Sequence, residues 1–346
     1  MSATINDVAR LAGVSKGTVS KFLNGAPYVS NANKEKISAA IDELKYAPNR
    51  IAQGLSLRRS HTIGLIVANI GNPFYAELIR GAEDLSSARG YTLLLASTDG
   101  DPKRESGIVK AMRQRQVDGV IFASVRLADR EVTGLAREGM KVVLAGRHLP
   151  DADVDMVLVD SLRGATMAVE HLIGHGHTRI AYVGGPQSIA QFQERSKGWS
   201  AALAAAAITV PDNYMINLDL LGIDAGAGAT RALLAHPNPP TAIFAATDNL
   251  AFGVLKACHQ MGRNVPDDMA LIGFDNVSFG EIALSPLTTV DGSGLDLGRR
   301  AMRMLIDRIE NTTSNSTRPS SARMVVQPRL CIRSSCGCRP DKENQQ

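Results

Sequence analysis

The N-terminal part of the chain contains three short stretches in which apolar residues recur at helical spacing. Apolar residues in the first stretch recur three or four positions apart, at Ile5, Val8, Ala9 and Ala12. This is the spacing of one helix face. Thr4 and Asp7 fit a capping box at the start of this helix, and Gly13 breaks its pattern. Ser15 is a suitable N-cap for a second helix over 16–23.

A third helix is predicted after Ser30, and it should end before Pro48 because the residue preceding a proline disfavours helical geometry. The apolar positions of the second and third helices are Val19, Phe22, Leu23, Ile37, Ala40, Ile41 and Leu44. Two short helices joined by a turn that contains Gly13 describe a helix-turn-helix. The second helix of such a motif places its N-terminal side chains in the major groove of DNA.

From Thr62 onward, apolar strand runs alternate with helical patterns. The predicted strands are 63–68, 91–96, 119–123, 142–145, 157–159, 180–183, 242–246 and 270–273. The predicted helices are 74–88, 104–114, 164–173, 193–206 and 249–261. Alternation of strands and helices predicts parallel sheets covered on both faces. Because the pattern restarts near residue 164, we expect two α/β lobes with a ligand cleft at the carboxyl ends of their strands.

Positive charge is concentrated in the first sixth of the chain. Residues 1–59 carry nine Lys or Arg and four Asp or Glu, an excess of five, whereas the whole chain of 346 residues has a net charge of +4. This asymmetry favours a polyanionic partner for the segment. The alternative is a solvated basic face without a partner.

The composition excludes several protein classes. Apolar residues make up 44% and charged residues 21%, which is typical of a folded globular chain. No apolar run reaches the roughly 20 residues that span a bilayer. The N-terminus lacks the basic and apolar regions of a secretion signal, and four cysteines are too few for a disulfide scaffold. We therefore expect a cytoplasmic protein with no membrane partner.

The N-terminal segment resembles the headpiece of the lactose/galactose repressor (LacI/GalR) family of bacterial transcriptional regulators. The similarity is nearly gapless over about sixty residues and rests on the runs Thr4-Ile5-Asn6-Asp7-Val8-Ala9, Ala12-Gly13-Val14-Ser15-Lys16-Gly17-Thr18-Val19-Ser20-Lys21, Leu23-Asn24 and Asp42-Glu43-Leu44-Lys45-Tyr46-Ala47-Pro48-Asn49-Arg50-Ile51-Ala52. The resemblance implies a sequence-specific DNA-binding regulator, most often a repressor, that binds a pseudo-palindromic operator as a homodimer or tetramer.

The resemblance also implies roles in DNA recognition. Lys16, Gly17 and Lys21 match positions that read base edges, and a lysine can donate to guanine. Two of these residues depart from the family pattern. Gly17 has no side chain that could read a base, and many relatives have arginine at the position of Lys21. The operator sequence therefore cannot be carried over from the relatives. Positions expected near phosphates are Thr4, Ser15, Thr18, Ser20, Asn24, Ser30, Lys34 and Asn49. For each of them the alternative is helix capping or solvation.

Leu55 lies among polar and small residues in a segment too short to form a stable helix alone. In the family this segment folds when two subunits pair over DNA, and its leucine enters the minor groove at the operator centre. Apolar side chains inserted at a base step bend the duplex. The alternative is a flexible linker with one exposed leucine.

Family signatures continue through the α/β region, among them Asn72-Pro73-Phe74-Tyr75, Gly176-His177-Thr178-Arg179-Ile180-Ala181, Ala246-Thr247-Asp248 and Gly273-Phe274-Asp275. The resemblance implies a core similar to periplasmic sugar-binding proteins, with a small-metabolite effector between its lobes. The implied effector-binding residues are Arg195, Asp275, Asp248, Phe74 and Arg147. Two arginines would favour an acidic or phosphorylated ligand, whereas two aspartates would favour a polyol. Gly146 and the absence of a stacking tryptophan do not support a standard disaccharide site.

The resemblance divides the chain into five parts. These are the headpiece (1–48), the hinge (49–60), an N-lobe (61–160 and 291–320), a C-lobe (161–290 and 321–335) and a disordered tail (336–346). The chain would cross between lobes near residues 160, 290 and 320. The alternatives to an effector role are helix capping for the two aspartates and core packing for Phe74.

Other motifs point weakly to different chemistry. Gly13 to Gly17 match the nucleophile elbow G-x-S-x-G, but that motif needs a preceding strand, and here a helix precedes it. His171, His175 and His177 resemble a metal-ligand cluster without the glutamate of H-E-x-x-H. Three late cysteines, Cys331, Cys336 and Cys338, could bind a metal or oxidise. We expect a non-enzymatic regulator without cofactor or metal.

Overall fold

The structure is a computed structural model of the chain. It describes residues 3–23, 28–46, 59–123, 129–149, 152–311 and 321–338. The chain divides into two compact units, Met1–His61 and Thr62–Gln346. Within the described residues, none of the helices combines the length and apolar character that a membrane span requires. Elements are numbered along the chain.

The first unit contains the three predicted helices, α1 (Ile5–Ala12), α2 (Lys16–Leu23) and α3 (Asn31–Leu44). Both halves of the predicted capping box are present at the start of α1, and its C-cap Gly13 has a φ of +64°, a left-handed conformation that glycine adopts without strain. Val8, Val19 and Ile37, one from each helix, are fully buried. These contacts hold the helix-turn-helix together.

The second unit begins with a six-stranded parallel sheet, which we call the N-lobe sheet. Its strands are β1 (Thr62–Val67), β2 (Thr92–Ser97), β3 (Gly119–Ala123), β4 (Lys141–Ala145), β5 (Asp155–Val159) and β11 (Arg323–Val326), in the spatial order β11-β5-β4-β3-β1-β2. The N-lobe helices are α4 (Pro73–Ala88), α5 (Pro102–Gln114), α6 (Asp129–Arg137) and α11 (Gly294–Asn311). The four inner strands β1, β3, β4 and β5 are almost wholly buried, as expected for a parallel sheet covered on both faces, whereas the edge strands β2 and β11 are partly exposed.

The C-lobe repeats this architecture around a second sheet. Its strands are β6 (Ile180–Gly184), β7 (Met215–Asn217), β8 (Ala242–Ala245), β9 (Ala270–Phe274), β10 (Thr288–Asp291) and β12 (Arg329–Cys331), in the order β12-β10-β9-β8-β6-β7. The C-lobe helices are α7 (Ser161–Gly174), α8 (Ala190–Ala205), α9 (Ile223–Leu234) and α10 (Asp248–Gln260). Only β12, among the described strands of this sheet, runs antiparallel to its neighbour. The predicted two-lobed α/β core is confirmed.

The third crossing between lobes lies later than the sequence predicts. The resemblance implies that residues 321–335 belong to the C-lobe, but β11 pairs with β5 in the N-lobe sheet, and of these two strands only β12 joins the C-lobe. Asp155 explains this placement, because its carboxylate accepts hydrogen bonds from Arg308 of α11 (2.6 and 2.7 Å) and from the backbone N–H of Ala322 (2.7 Å). The crossing therefore follows Val326.

The predicted tail also begins too early. Ser334–Cys336 forms a short 3-10 helix, and Cys336 is buried in the C-lobe core. Ser335 anchors this turn, because its hydroxyl donates to Leu271 O (2.7 Å) and accepts from Thr288 N (2.8 Å). Residues 336–338 are thus part of the C-lobe, and the rest of the predicted tail lies outside the described residues.

Candidate functional site

A cavity of about 270 Å³ lies between the two lobes, at the carboxyl ends of their strands. Gly146, Asp160, Asp275 and Gly292 line it, and each directly follows a strand. The N-lobe also contributes Asn72, Phe74, His148 and Arg323, and the C-lobe contributes Gln191, Phe192, Glu194, Arg195, Thr247 and Phe274. This position is where ligands bind in open α/β folds.

Arg195 and Asp275 form a buried pair on the C-lobe side of the cavity. Arg195 lies on α8 and Asp275 directly follows β9, and Arg195 Nη1 is 3.8 Å from Asp275 Oδ1. Their side chains are only 7% and 6% exposed, so the Coulomb attraction is weakly screened. Burial raises the pKa of the Asp275 carboxyl, and Arg195 opposes this shift. The pair thus presents a donor and an acceptor in one place.

The Arg195 guanidinium is oriented by three neighbours. It lies over the ring of Phe274, with its central carbon 3.5 Å from the ring centroid, and it donates to the backbone carbonyl of Ala246. The Phe192 ring is 5.7 Å away on the same helix. The Nε of Arg195 is buried with no hydrogen-bond partner. The charge is thus fixed at the cavity wall with donor capacity that is not used by the protein.

Asp248 does not line the cavity, contrary to the prediction from the family signature. Its Oδ1 accepts from the Thr289 hydroxyl (2.6 Å), and its Oδ2 accepts from Val277 N (2.8 Å). A Cβ on Gly273 would lie 2.2 Å from Asp248 Oδ1, so a larger residue there would displace this carboxylate. The carboxylate therefore supports the Asp275 loop from behind, and the cap of α10 is Thr247 rather than Asp248.

Asp248→Asn should flatten the pH dependence of stability. Burial raises the pKa of Asp248 to about 6, against opposing hydrogen bonds from Thr289 and Val277. The folded state then binds a proton more tightly than the unfolded state. The stability from this group is present below the unfolded pKa and is lost as pH rises through about 6. Because more than half of the unfolded carboxyls are already ionised at pH 4, we expect a loss of about 2 kcal/mol from this group between roughly pH 4 and pH 7.

Urea unfolding at both pH values measures this effect. The asparagine variant should lose about 1–3 kcal/mol through one mismatched hydrogen bond, and its stability should change less with pH than that of the wild type. An unchanged pH slope in the variant would contradict the assignment of the titration to Asp248. Asp224→Asn is a matched control, because that carboxylate is 91% exposed.

Phe74 and Arg147 have different positions from each other. Phe74 lines the cavity from the start of α4, where the Asn72 side chain caps the helix by accepting from Phe74 N (3.1 Å). Arg147 is not among the cavity-lining residues, although Gly146 and His148 on either side are. The structure therefore brings Phe74, Arg195 and Asp275 together and leaves Arg147 outside.

Charged or histidine side chains at four cavity positions were not predicted as site residues: His148, Asp160, Glu194 and Arg323. Glu194 directly precedes Arg195, and burial raises its pKa, with opposing contributions led by His148. Asp160 also caps α7, because its carboxylate accepts from Arg163 N (2.9 Å). Glu194 could have been predicted as a cavity residue, because it is adjacent to Arg195 on the same helix. Arg323 could be predicted only after β11 had been assigned to the N-lobe sheet.

The predicted DNA-contacting residues of the headpiece that the structure describes are spread over its three helices and their caps. Lys16, Gly17 and Lys21 are exposed on α2. The Ser15 hydroxyl lies 2.8 Å from the Thr18 hydroxyl and accepts from Thr18 N (3.1 Å), so capping accounts for its local contacts. Thr4 and Ser30 also cap helices and remain exposed, while Ser20 and Lys34 are half-buried. Asn24, Asn49 and Leu55 lie outside the described residues.

Comparison with known proteins agrees with both parts of this description. Residues 4–49 match the family described as bacterial regulatory proteins, lacI family, and residues 169–336 match a periplasmic binding protein-like domain. The ribose operon repressor of Escherichia coli (strain K12) is 38% identical over 318 residues, which cover 91% of this chain and 96% of the relative.

Two solved structures share the fold. The complex of the transcriptional regulator CelR with cellobiose is 34% identical, with a TM-score of 0.72, covering 96% of this chain and 99% of that one. The lac repressor dimer bound to operator and the anti-inducer ONPF has a TM-score of 0.84 at 24% identity, covering 97% and 99%. Because its identity is only 24%, the lac repressor dimer is similar to this chain in fold alone.

Proposed function

This chain belongs to the LacI family of bacterial regulatory proteins, and we propose that it is a repressor whose operator affinity is controlled by a small neutral sugar bound in the cavity between the lobes. The protein binds DNA through its helix-turn-helix as a homodimer. A two-fold dimer reads two half-sites, which makes the operator pseudo-palindromic.

The charge balance of the cavity carries the assignment of the effector. Three carboxylates, those of Asp160, Glu194 and Asp275, face two arginines, Arg195 and Arg323. Arg147, which would have added positive charge, does not line the cavity. A phosphorylated ligand would meet a lining without excess positive charge, whereas a polyol can both donate to carboxylates and accept from guanidinium groups. The balance therefore favours a neutral polyol.

Each cavity residue has a role suited to a sugar. Asp275 accepts from hydroxyl groups, Arg195 donates through its fixed guanidinium, and the ring of Phe74 covers the apolar face of the pyranose or furanose. Of the relatives named above, one is named as the repressor of a ribose operon and another is a complex with cellobiose. The cavity volume of about 270 Å³ lies at the small end of ligand sites, which favours a monosaccharide.

A sugar in this position contacts both lobes, since Phe74 belongs to the N-lobe and Arg195 to the C-lobe. Binding therefore stabilises one arrangement of the lobes over others. Operator affinity changes only to the extent that the sugar prefers one of two states of the dimer. Residues 47–58, which join the core to the headpiece, lie outside the described residues.

In the headpiece we assign base recognition to Lys16 and Lys21, which are exposed on α2. Loss of a base contact costs about 1–3 kcal/mol of discrimination, which is roughly 10–100-fold in specific affinity. Gly17 would let the backbone approach the DNA closely. Leu55 is assigned to the minor groove and the predicted hydroxyl and amide positions to phosphates, which orient the protein without specifying sequence.

Fluorescence anisotropy on a labelled family-type palindrome tests this function. We expect a neutral monosaccharide pool to weaken operator binding and a sugar phosphate pool to leave it unchanged. Lys16→Ala and Lys21→Ala should lose operator affinity roughly 10–100-fold and random-DNA affinity far less. The control Lys36→Ala, an exposed lysine of α3, should lower both affinities slightly and equally. Response to sugar phosphates alone would overturn the effector class, and absence of operator preference would overturn the regulator.

We also propose that the chain is not an enzyme and acts in the cytoplasm, where its operator lies. The Ser15 of the G-x-S-x-G match follows helix α1 rather than a strand, and its hydroxyl is engaged by Thr18. A nucleophile elbow requires a strand before the serine. Its curated relatives are transcriptional regulators.

A further inference from the structure

Two histidines and two cysteines meet at the end of α7 that faces away from the effector cavity. His171 and His175 lie one turn apart, and the carboxyl-terminal segment brings Cys336 and Cys338 against them. From the sequence, the histidines resemble a metal-ligand cluster, whereas Cys336 and Cys338 are assigned to a tail. Because 163 residues separate His175 from Cys338, no local spacing could predict their contact.

Three of the distances between donor atoms are close to those around a tetrahedral metal ion, and Cys336 contacts the other donors through His171. Cys338 Sγ is 3.0 Å from His175 Nε2 and 3.4 Å from His171 Nε2, and Cys336 Sγ is 3.3 Å from His171 Nε2. Zinc bonds of about 2.0 Å to nitrogen and about 2.3 Å to sulfur place neighbouring N and S ligands about 3.5 Å apart. The donor atoms of His171, His175 and Cys338 all lie within 4.8 Å of one another.

We propose that His171, His175, Cys336 and Cys338 form a structural zinc site that fastens the carboxyl-terminal segment to α7. Two thiolates and two imidazoles are a donor set of closed, tetrahedral zinc sites, and hard cations such as Mg²⁺ prefer oxygen donors. Occupation of all four positions by protein leaves none for a substrate. The site therefore contributes stability rather than catalysis.

The surroundings of the cluster suit this role. His175 Nδ1 lies 2.8 Å from His171 O, a contact in which it donates, which leaves the Nε2 lone pair directed at Cys338. The Thr288 hydroxyl lies 3.2 Å from Cys336 Sγ and so fixes that side chain from the other side. The cluster is also at the carboxyl end of α7, where the helix dipole favours positive charge. His175 is exposed, which provides an entry path for the ion.

The site is separate from effector binding. Asp160 and Ser161 at the amino end of α7 line the cavity, and ten residues of helix, about 15 Å, separate Ser161 from His171. Zinc would join α7 to the turn at Ser334–Cys336, which already packs on β9 and β10 through Ser335. We infer that metal binding stabilises the C-lobe, whatever ligand the cavity takes.

Zinc content of the full-length reduced protein tests this proposal. After chelation and dialysis against Zn²⁺, the wild type should retain one ion per chain, and its Tm should rise. His175→Gln and Cys338→Ser should lose affinity by more than the roughly 10–100-fold that follows removal of an outer partner. Matched controls are His177→Gln, whose ring bonds the Thr241 hydroxyl, and Cys331→Ser on β12. Both should retain zinc as the wild type does.

Cobalt substitution gives a second readout that does not depend on stability. The wild type loaded with Co²⁺ should display the visible absorption bands of a tetrahedral ion and a sulfur-to-metal charge-transfer band. Cys336→Ser should lose the part of the charge-transfer absorption that one thiolate contributes. Failure of the reduced wild type to retain stoichiometric zinc would overturn the proposal, as would equal losses in the controls. Retained two-thiolate absorption in Cys336→Ser would remove Cys336 from the site.

Discussion

Arg195→Ala should abolish the response to effector and lower the free energy of unfolding of the core by about 3–5 kcal/mol. The substitution removes the donor at the cavity wall and leaves the buried carboxylate of Asp275 without its partner. It also removes the stacking on Phe274 and the hydrogen bond to Ala246 O. Operator affinity without effector should stay near that of the wild type, because the headpiece is a separate unit.

A second substitution separates the charge effect from the loss of packing. In Arg195→Met the long side chain still covers Phe274, and adding Asp275→Asn removes the unpaired charge. The double variant should therefore regain part of the lost stability, while its effector response stays absent. Lys256→Ala is the control, since its partner Asp224 is exposed and the pair should contribute at most about 1 kcal/mol.

Urea unfolding and effector titration by calorimetry measure the two effects independently. A wild-type effector affinity in Arg195→Met would show that the sugar binds elsewhere. A further loss of stability on adding Asp275→Asn would show that the carboxylate contributes through its hydrogen bonds rather than through its charge.

The sequence predicts this pair but not its support. Arg195 and Asp275 lie within family signatures, and both side chains reach the cavity. Asp248 also lies in a signature, yet it points away, because Thr289 and Val277 offer it donors from segments 41 and 29 residues distant. The orientation of a side chain at a strand end thus depends on contacts that no local pattern contains.

The position of β11 has the same kind of explanation. The sequence pattern predicts no strand over 323–326, and the lobe bounds implied by the resemblance assign residues 321–335 to the C-lobe. Arg308 and Ala322 both bond the buried Asp155, which fixes β11 beside β5 and brings Arg323 to the cavity. Contacts between residues far apart in the chain therefore accompany both the placement of β11 and the presence of Arg323 in the site.

Of the closely packed helices α4 and α11, only α4 is among the helices that the sequence predicts. A Cβ built on Gly298 would lie 2.0 Å from Leu78 O, and one built on Gly81 would lie 2.0 Å from Leu295 O. At each glycine, a backbone carbonyl of the opposite helix thus occupies the space that a side chain would need. Because a helix pattern treats glycine as a weak position, the reciprocal contact appears only when both helices are in place.

Gly298→Ala should therefore destabilise the core by about 3 kcal/mol, the upper end of the usual cost of overpacking. A rotamer change cannot relieve the contact, since the obstructing atoms belong to the backbone of α4. Intrinsic helix propensity acts in the opposite direction, favouring alanine by about 1 kcal/mol. The sign of the measured change therefore distinguishes close helix packing from propensity.

Gly107→Ala provides the matched comparison within the same lobe. Gly107 is exposed inside α5, and a Cβ there would have no atom within 4 Å, so alanine should stabilise the protein by about 0.5–1 kcal/mol. Stabilisation by both substitutions in urea unfolding would contradict the close contact at Gly298. Because α4 also carries Phe74 at its amino end, displacement of this helix by Gly298→Ala should weaken effector binding, and Gly107→Ala should not.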